Sequence, residues 1–347
     1  MESLIKNWDG EKVIIQHDKP TGAWIIIAVH STKLGPAVGG TRLKSYPVFQ
    51  AALGDALRLA SGMTYKFAVP GLPFGGGKAV IAIPDNLDRA ARVSLLRRYG
   101  ALIHQLGGLF LTGPDIGISS EDMDIIGETG SPYVFSRTPA VGGAGSPGPF
   151  TALGVFTGIQ VTCENVFGES SLANRCVLVQ GTGSVGGGLL ELLLKAGAEV
   201  MFSDVNEDAI TRYRDELGLK FIPSDDVYIT ECDIFAPCAL GGILNAETIP
   251  NLKCKAVAGG ANNQLVEPKD AEGLLKRGIL YAPDFVINVG GAMAIMGIET
   301  QGWNRERAEN EVIDTVRRAL RDVFEMASTE SITTDAAAHR IAEMRLP

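Results

Sequence analysis

The stretch Cys176-Val177-Leu178-Val179-Gln180-Gly181-Thr182-Gly183-Ser184-Val185-Gly186 decides the fold. Residues 176 to 179 are short and apolar, as in a strand buried on both faces. The glycines that follow fit G-x-G-x-x-G, and a helical run covers Gly187 to Ala196. A second short strand, Val200-Met201-Phe202, leads into Asp204, about twenty residues on, the spacing of a dinucleotide-binding βαβ unit. The turn lets the backbone of Gly181, Gly183, Ser184, Val185 and Gly186 meet a pyrophosphate at a helix N-terminus. The Asp204 carboxylate suits ribose hydroxyls, with Val205 beside it. Its charge repels a 2′-phosphate, so NAD is expected in preference to NADP. The bland alternative is a glycine turn that holds no nucleotide; strand, helix and acid in the required order argue against it.

Outward from this unit, Ile234-Phe235-Ala236, Ala256-Val257-Ala258 and Ile279-Leu280-Tyr281 predict further short strands of a parallel α/β sheet. A long amphipathic helix near the end carries Val312, Val316, Leu320 and Val323 on one stripe. Upstream, Val141-Gly142-Gly143-Ala144-Gly145-Ser146-Pro147-Gly148-Pro149 predicts a hinge. Before the hinge, strands are expected at 12–15, 24–29 and 79–84, and helices at 48–59 and about 91–106. Residues 35–42 read as a glycine-rich turn, and Ser119 with Asp122 as a capping box. The expected architecture is α/β with two domains separated by a cleft. Residues 1–140 form an α/β substrate-binding and oligomerisation domain, and 141–325 a Rossmann-type NAD-binding domain. Residues 326–347 form a C-terminal helical segment packing near the junction.

The first domain carries two lysines in an apolar neighbourhood, in the run Gly62-Met63-Thr64-Tyr65-Lys66 and in Gly75-Gly76-Gly77-Lys78. A lysine that is desolvated, or set beside another cation, can act as a base near neutral pH. Three glycines without side chains let backbone and substrate approach closely. The pair suggests a crevice for a small ligand, against the default of surface lysines beside a glycine loop.

Bulk properties exclude other classes. At 347 residues, with 46% hydrophobic and 20% charged residues, the chain is long and apolar enough for two globular domains. A net charge of −9 with no basic stripe argues against nucleic acid or an anionic membrane as partner. No signal-like segment or apolar run of transmembrane length is present, so a cytoplasmic location is expected. Cys163, Cys176, Cys232, Cys238 and Cys254 make no CxxC pair and read as reduced thiols. His17, His30, His104 and His339 have no metal-ligand spacing, so no metal site is expected.

With both sites read, the chain resembles the amino-acid dehydrogenases that act on glutamate, leucine, phenylalanine and valine. The resemblance is carried by Leu34 to Arg42, Gly62 to Lys66, Gly75 to Lys78 and Thr112-Gly113-Pro114-Asp115. It continues in Asp233 to Ala239, Gly260-Ala261-Asn262-Asn263 and Tyr281-Ala282-Pro283-Asp284. It implies that Lys66 holds the substrate carboxylate, that Lys78 is the base that activates water, and that Asp115 exchanges protons with the amino group. It implies substrate contacts from Gly39, Gly40 and Asn262. It also implies cofactor contacts from Thr151, Ala236, Cys238, Asn262 and Asn288, and a homo-oligomer. The expected partners are an amino acid, its 2-oxo acid and ammonium.

The side chain of the substrate is read from Val38, Met63, Gly113, Ala292, Met293 and Ile295. Gly113 and Ala292 are smaller than their counterparts in branched-chain members, and Thr112 to Asp115 looks most like phenylalanine dehydrogenases. L-phenylalanine is therefore expected, with leucine, valine or tryptophan as alternatives and a catalytically silent NAD-binding regulator as the alternative of another class. Ordinary core packing is the competing reading of Met63 and Met293. Two departures from the family pattern stand out: Gly260 where alanine is common, and Val289 where alanine is common, adding bulk near the expected nicotinamide face.

Overall fold

A computed structural model describes residues 2–347. The chain divides into two compact units. One contains the residues up to Ser146 together with Ile295–Gly302 and Ala342–Pro347; the other contains Pro147–Ala294 and Trp303–Ile341. The division falls six residues beyond the expected 140/141 boundary, inside the predicted hinge. The expected terminal segment 326–347 is not a unit of its own: a helix runs unbroken through position 325, and the last residues are shared between the two units.

The first unit is built from α1 (Glu2–Lys6), β1 (Lys12–Asp18), β2 (Ala23–Ser31), β3 (Ala37–Lys44), α2 (Phe49–Ala68), β4 (Gly75–Ala82), α3 (Arg89–Gln105), β5 (Phe110–Pro114) and α4 (Ser120–Gly130). Its sheet has the order β1-β2-β4-β3-β5. β1–β2 and β2–β4 pair antiparallel, and β3 pairs parallel with both β4 and β5. Ile26, Ala28 and Val80 pack on one face against Leu53, Ala56, Leu57 and Ala60 of α2. Ile25, Ile27, Ala79 and Ile81 pack on the other against Leu95, Tyr99 and Ile103 of α3 and Ile126 of α4. Each buried leucine or isoleucine contributes roughly 1.5–3 kcal/mol by leaving water. The predicted capping box is present: the Ser119 hydroxyl accepts from Asp122 N, and the Asp122 carboxylate accepts from Ser119 N.

Three local expectations are corrected. The segment expected as a glycine-rich turn is largely strand β3. The strand expected at 79–84 begins earlier: the three glycines at 75–77 open β4, which ends at Ala82. A Cβ at Gly76 would lie 2.1 Å from the backbone nitrogen of Thr64, so the missing side chain lets α2 press against the strand. That approach is long-range and has no signature in the local pattern. Finally, α2 continues past position 59 to Ala68, which places Lys66 in its last turn, where a cation suits the helix dipole.

The second unit contains α5 (Gly148–Phe167), β6 (Cys176–Gln180), α6 (Ser184–Lys195), β7 (Glu199–Ser203), α7 (Glu207–Ile210), β8 (Lys220–Phe221), β9 (Ile234–Pro237), β10 (Ala256–Val257), α8 (Pro268–Lys276), β11 (Leu280–Tyr281) and α9 (Asp284–Ile287). After these come α10 (Gly290–Gln301), α11 (Arg305–Glu330) and α12 (Thr334–Arg345); α10 and α12 pass from the second unit into the first. The sheet is parallel throughout, in the order β11-β10-β9-β6-β7-β8. Strand order reverses between β6 and β9, and the crevice beyond their carboxyl ends is where such sheets hold ligands. β8, two residues long, was too short to predict, as β5 was too interrupted by Gly113 and Pro114.

Candidate active site and nucleotide cradle

In the first unit, alternation along β4 sends Lys78 to the same face as Val80, toward α2. A free ammonium would be costly there, and Lys78 has only 8% of its side chain exposed. Its Nζ lies 2.8 Å from Asp115 Oδ2, just past the end of β5. β3 runs between the two strands, and its glycines clear the space: a Cβ at Gly40 would come within 2.9 Å of Asp115 Cβ, and one at Gly39 within 1.8 Å of Gly77 O. Arg42, also on β3, donates from Nε to the same Asp115 oxygen at 2.9 Å and from Nη1 to Asp55 Oδ2 at 2.9 Å. Asp55 in turn accepts from Tyr46 Oη at 2.7 Å and Arg58 Nη2 at 2.8 Å. Burial alone would raise the Asp115 carboxyl. Lys78 and Arg42 override it and hold the group at about 2, so Asp115 is ionised at neutral pH.

Lys66 is half-buried three residues after Met63 on α2, so the two share one side of the helix. Gly113 on β5 faces open space, since a Cβ there would meet nothing nearer than Ser136 Oγ at 3.9 Å. Ser136 is buried with a left-handed φ of 60°, and its N–H donates to Glu299 Oε1 at 2.9 Å. The N–H of Ala144 reaches the same oxygen at 2.8 Å. Glu299 therefore pins the segment that walls Gly113; burial raises its carboxyl, and the two N–H groups oppose that rise. Val38 is buried on β3, and Ile295 is buried on α10.

Sequence reasoning passed over Arg42, Asp55, Tyr46, Ser136 and Glu299. A signal existed for Arg42 alone, a charge closing the otherwise uncharged run Leu34 to Thr41.

In the second unit, each glycine of the β6–α6 turn has its own task. Gly181 has a φ of 87°, and a Cβ on it would strike Ala239 at 2.6 Å. A Cβ at Gly186 would lie 1.9 Å from Gly181 O, so this glycine lets α6 close on β6. Gly183 faces open space at the N-cap of α6, and Ser184 begins that helix exposed. Asp204 Oδ2 accepts from Thr182 N and Thr182 Oγ1, both at 2.6 Å. Its Oδ1 accepts from Val205 N at 2.7 Å and Asn206 N at 2.9 Å. Burial tends to raise this carboxyl, and those donors more than offset it, so the charge is fixed at the end of β7. Val205 beside it is 85% exposed.

At the far side of the β6–β9 reversal, Ala236 is buried on β9, and Cys238 Sγ accepts from Gly260 N at 3.4 Å. Burial pushes the Cys238 thiol up to about 12, so it is no nucleophile. Asn288 is buried; its amide donates to Asn262 Oδ1 at 2.9 Å and Gly260 O at 3.3 Å, while its own Oδ1 has no partner. Asn262 and Asn288 are thus in direct contact. Thr151, in the first turn of α5, donates to Pro147 O at 3.0 Å, and a Cβ at Gly291 would lie 2.2 Å from its hydroxyl. Ala292 is half-buried and Met293 buried in the first turns of α10.

Both departures have packing accounts. An alanine at 260 would meet Val185 Cγ1 at 2.7 Å, and Val289 is fully buried, so its bulk is absorbed in the interior. The open Gly183, the fixed Asp204 charge and the orphaned Asn288 oxygen fit a dinucleotide. No group of three or more potential metal ligands occurs among the described residues.

Comparison with known proteins agrees with both regions. Residues 15–131 match the Glu/Leu/Phe/Val dehydrogenase dimerisation domain, and residues 201–346 match the Glutamate/Leucine/Phenylalanine/Valine dehydrogenase domain. The chain is 43% identical to a leucine dehydrogenase of Geobacillus stearothermophilus, over 99% of this chain and 92% of that protein. It is 40% identical to a phenylalanine dehydrogenase of Lysinibacillus sphaericus, over 95% and 87%. Among solved structures, the L-tryptophan dehydrogenase of Nostoc punctiforme superposes with a TM-score of 0.82 at 39% identity, covering 100% of this chain and 98% of that one. With a parallel nucleotide-binding sheet, a buried lysine–carboxylate pair and relatives matched along its whole length, the chain belongs to the Glu/Leu/Phe/Val dehydrogenase family of amino-acid dehydrogenases, oxidoreductases that act on CH–NH2 groups with a nicotinamide cofactor.

Proposed function

We propose that the protein catalyses reversible, NAD-dependent oxidative deamination of L-phenylalanine. L-phenylalanine, water and NAD give phenylpyruvate, ammonium, NADH and a proton. The observation that carries the chemistry is the buried contact of 2.8 Å between Lys78 Nζ and Asp115 Oδ2. Lys66 holds the substrate α-carboxylate from the last turn of α2. Asp115, ionised, takes a proton from the substrate amino group. When bound, the nicotinamide supplies the hydride acceptor. Lys78 then orients a water against the imine carbon and takes its proton, giving the carbinolamine. Asp115 returns its proton to the nitrogen, and the C–N bond breaks as the carbinol hydroxyl becomes the ketone. Ammonia leaves with the hydroxyl proton as ammonium, and Lys78 releases its proton to solvent. Gly181, Gly183, Ser184, Val185 and Gly186 would hold the pyrophosphate. Asp204 and Val205 would hold the adenosine ribose, and Ala236, Cys238, Asn262, Asn288 and Thr151 would line the nicotinamide side. The negative Asp204 favours NAD over NADP.

The open space over Gly113 supports an aromatic side chain. The 43% identity to a leucine dehydrogenase favours the second reading, a branched-chain substrate, and the likeness to the L-tryptophan dehydrogenase keeps indole in the test. We further read the protein as a cytoplasmic homo-oligomer. The dimerisation-domain match supports the oligomer, and no described helix is long and apolar enough to cross a membrane. The test is kcat/KM for L-phenylalanine, L-leucine, L-valine and L-tryptophan with NAD and with NADP, followed by absorbance of the reduced cofactor. Preference for L-leucine overturns the aromatic reading. Absence of turnover with every amino acid favours a silent NAD-binding regulator.

A further inference from the structure

We infer that Arg42 is a positioning residue that fixes the Asp115 carboxylate, so that one oxygen serves Lys78 and the other is left for the substrate amino group. The inference rests on the roles given above to Lys78 and Asp115. Both cations converge on one atom: Lys78 Nζ at 2.8 Å and Arg42 Nε at 2.9 Å both reach Asp115 Oδ2. Among the described residues both side-chain donors go to Oδ2 and none to Oδ1; the backbone N–H of Ile116 also donates to the carboxylate. A carboxylate held by one flexible lysine could rotate. Here the second donor is a planar guanidinium whose far end is itself held, by Asp55 Oδ2 at 2.9 Å. Asp55 is fixed by the Tyr46 hydroxyl and by Arg58, so the orientation of Asp115 is tied through Arg42 to the body of α2.

The arrangement is dry. Arg42, Asp55 and Asp115 keep only 12%, 13% and 17% of their side chains exposed. The charged groups around Asp115 are Lys78 from β4 and Arg42 from β3, with Asp55 and Arg58 from α2 behind Arg42. A lysine at 42 could supply charge to Asp115 but could not span both carboxylates, because the spacing uses two nitrogens of one rigid fork. In this role Arg42 acts through Asp115. Its loss should therefore appear in turnover and in the protonation of Asp115 more than in substrate binding.

The experiment measures kcat and KM for L-phenylalanine and L-leucine as functions of pH in Arg42→Gln, Arg42→Lys and Asp55→Asn, with Lys78→Ala alongside and a melting curve for each. Arg42→Gln is expected to lower kcat by about 10- to 100-fold, the scale of a misplaced reacting group, with KM changed less than about threefold. It also moves the acid limb of kcat/KM to higher pH, because Asp115 loses one of its two cations. Arg42→Lys restores the acid limb but not kcat. Asp55→Asn lowers kcat without raising the acid limb, since the charge on Arg42 remains while its anchor is gone. Wild-type kcat in Arg42→Gln, or a loss of kcat that tracks only a lowered melting temperature with the acid limb unmoved, overturns the inference. If Arg42→Gln does not fold, Arg42→Lys and Asp55→Asn carry the test, and wild-type kcat in both overturns it. If Lys78→Ala keeps its turnover, the reading of Lys78 fails instead.

Discussion

The charge cluster of the first unit and the nucleotide turn of the second solve opposite problems. In the first, Lys78, Asp115, Arg42 and Asp55 come from β4, the end of β5, β3 and α2, and Asp115 meets both of its cations across dozens of residues. In the second, Asp204 is satisfied by Thr182 and by the two amides that follow it, all within one βαβ unit. One region concentrates buried side-chain charge; the other presents backbone and leaves Gly183 open. The difference predicts where a mutation costs stability and where it costs only ligand binding.

The strongest way to break that comparison is Asp115→Asn. Removing one partner of a buried ion pair costs about 3–5 kcal/mol. Loss of the proton-transfer group lowers kcat by about 10²–10⁴. Chemical denaturation and steady-state kinetics should therefore both fall. Asp115→Asn with unchanged stability would mean that the cluster is solvated in solution.

A glycine pair comes next. Gly76→Ala puts a methyl 2.1 Å from Thr64 N and should lower stability by about 1–3 kcal/mol. Gly183→Ala meets no atom within 4 Å and should change stability by less than about 0.5 kcal/mol. It should weaken NAD binding by calorimetry, because the backbone there is what a pyrophosphate would approach. Equal destabilisation by the two would erase the contrast.

Acid gives a smaller effect. Asp115 is held at about 2, against an ordinary value of 3.8, so its folded state is the more acidic one. Its contribution of roughly 2 kcal/mol is present above about pH 4 and is lost as pH falls toward 2. Denaturant midpoints measured down this range should decline in the wild type, and less so in Asp115→Asn. The smallest effect is expected from Gly113→Ala. A methyl fits there, so the fold holds, and the ratio of kcat/KM for L-phenylalanine over L-leucine should fall by about 1 kcal/mol, or roughly fivefold.

The two regions were also unequally legible. Gly181 to Asp204 could be read almost completely, because turn, helix start and acid sit within one short span whose spacing is the structure. Lys66, Lys78 and Asp115 were visible only as residue types in recurring motifs. Arg42 lay inside one of those motifs without an assigned role, since nothing near it in sequence is its partner. The three glycines at 75–77 were read as room for close approach but not as strand, because what approaches them, the α2 backbone at Thr64, is set by the packing of α2 on the sheet. Ser136 and Glu299 were invisible for the same reason, lying 163 residues apart.

By itself, then, the sequence determined the α/β class, the short strands of a parallel sheet, and the nucleotide turn with its acid, which depend on periodicity, local sterics and residue type. The α-amino-acid chemistry came from the motifs that carry the family resemblance. Only the tertiary structure decided that Asp115 shares one oxygen between Lys78 and Arg42, that Arg42 is anchored by Asp55, and that glycines in β3 and β4 make room for α2 and Asp115. Those are distances between side chains on different elements, and a buried charge has its properties set by whatever the fold brings within a few ångströms of it.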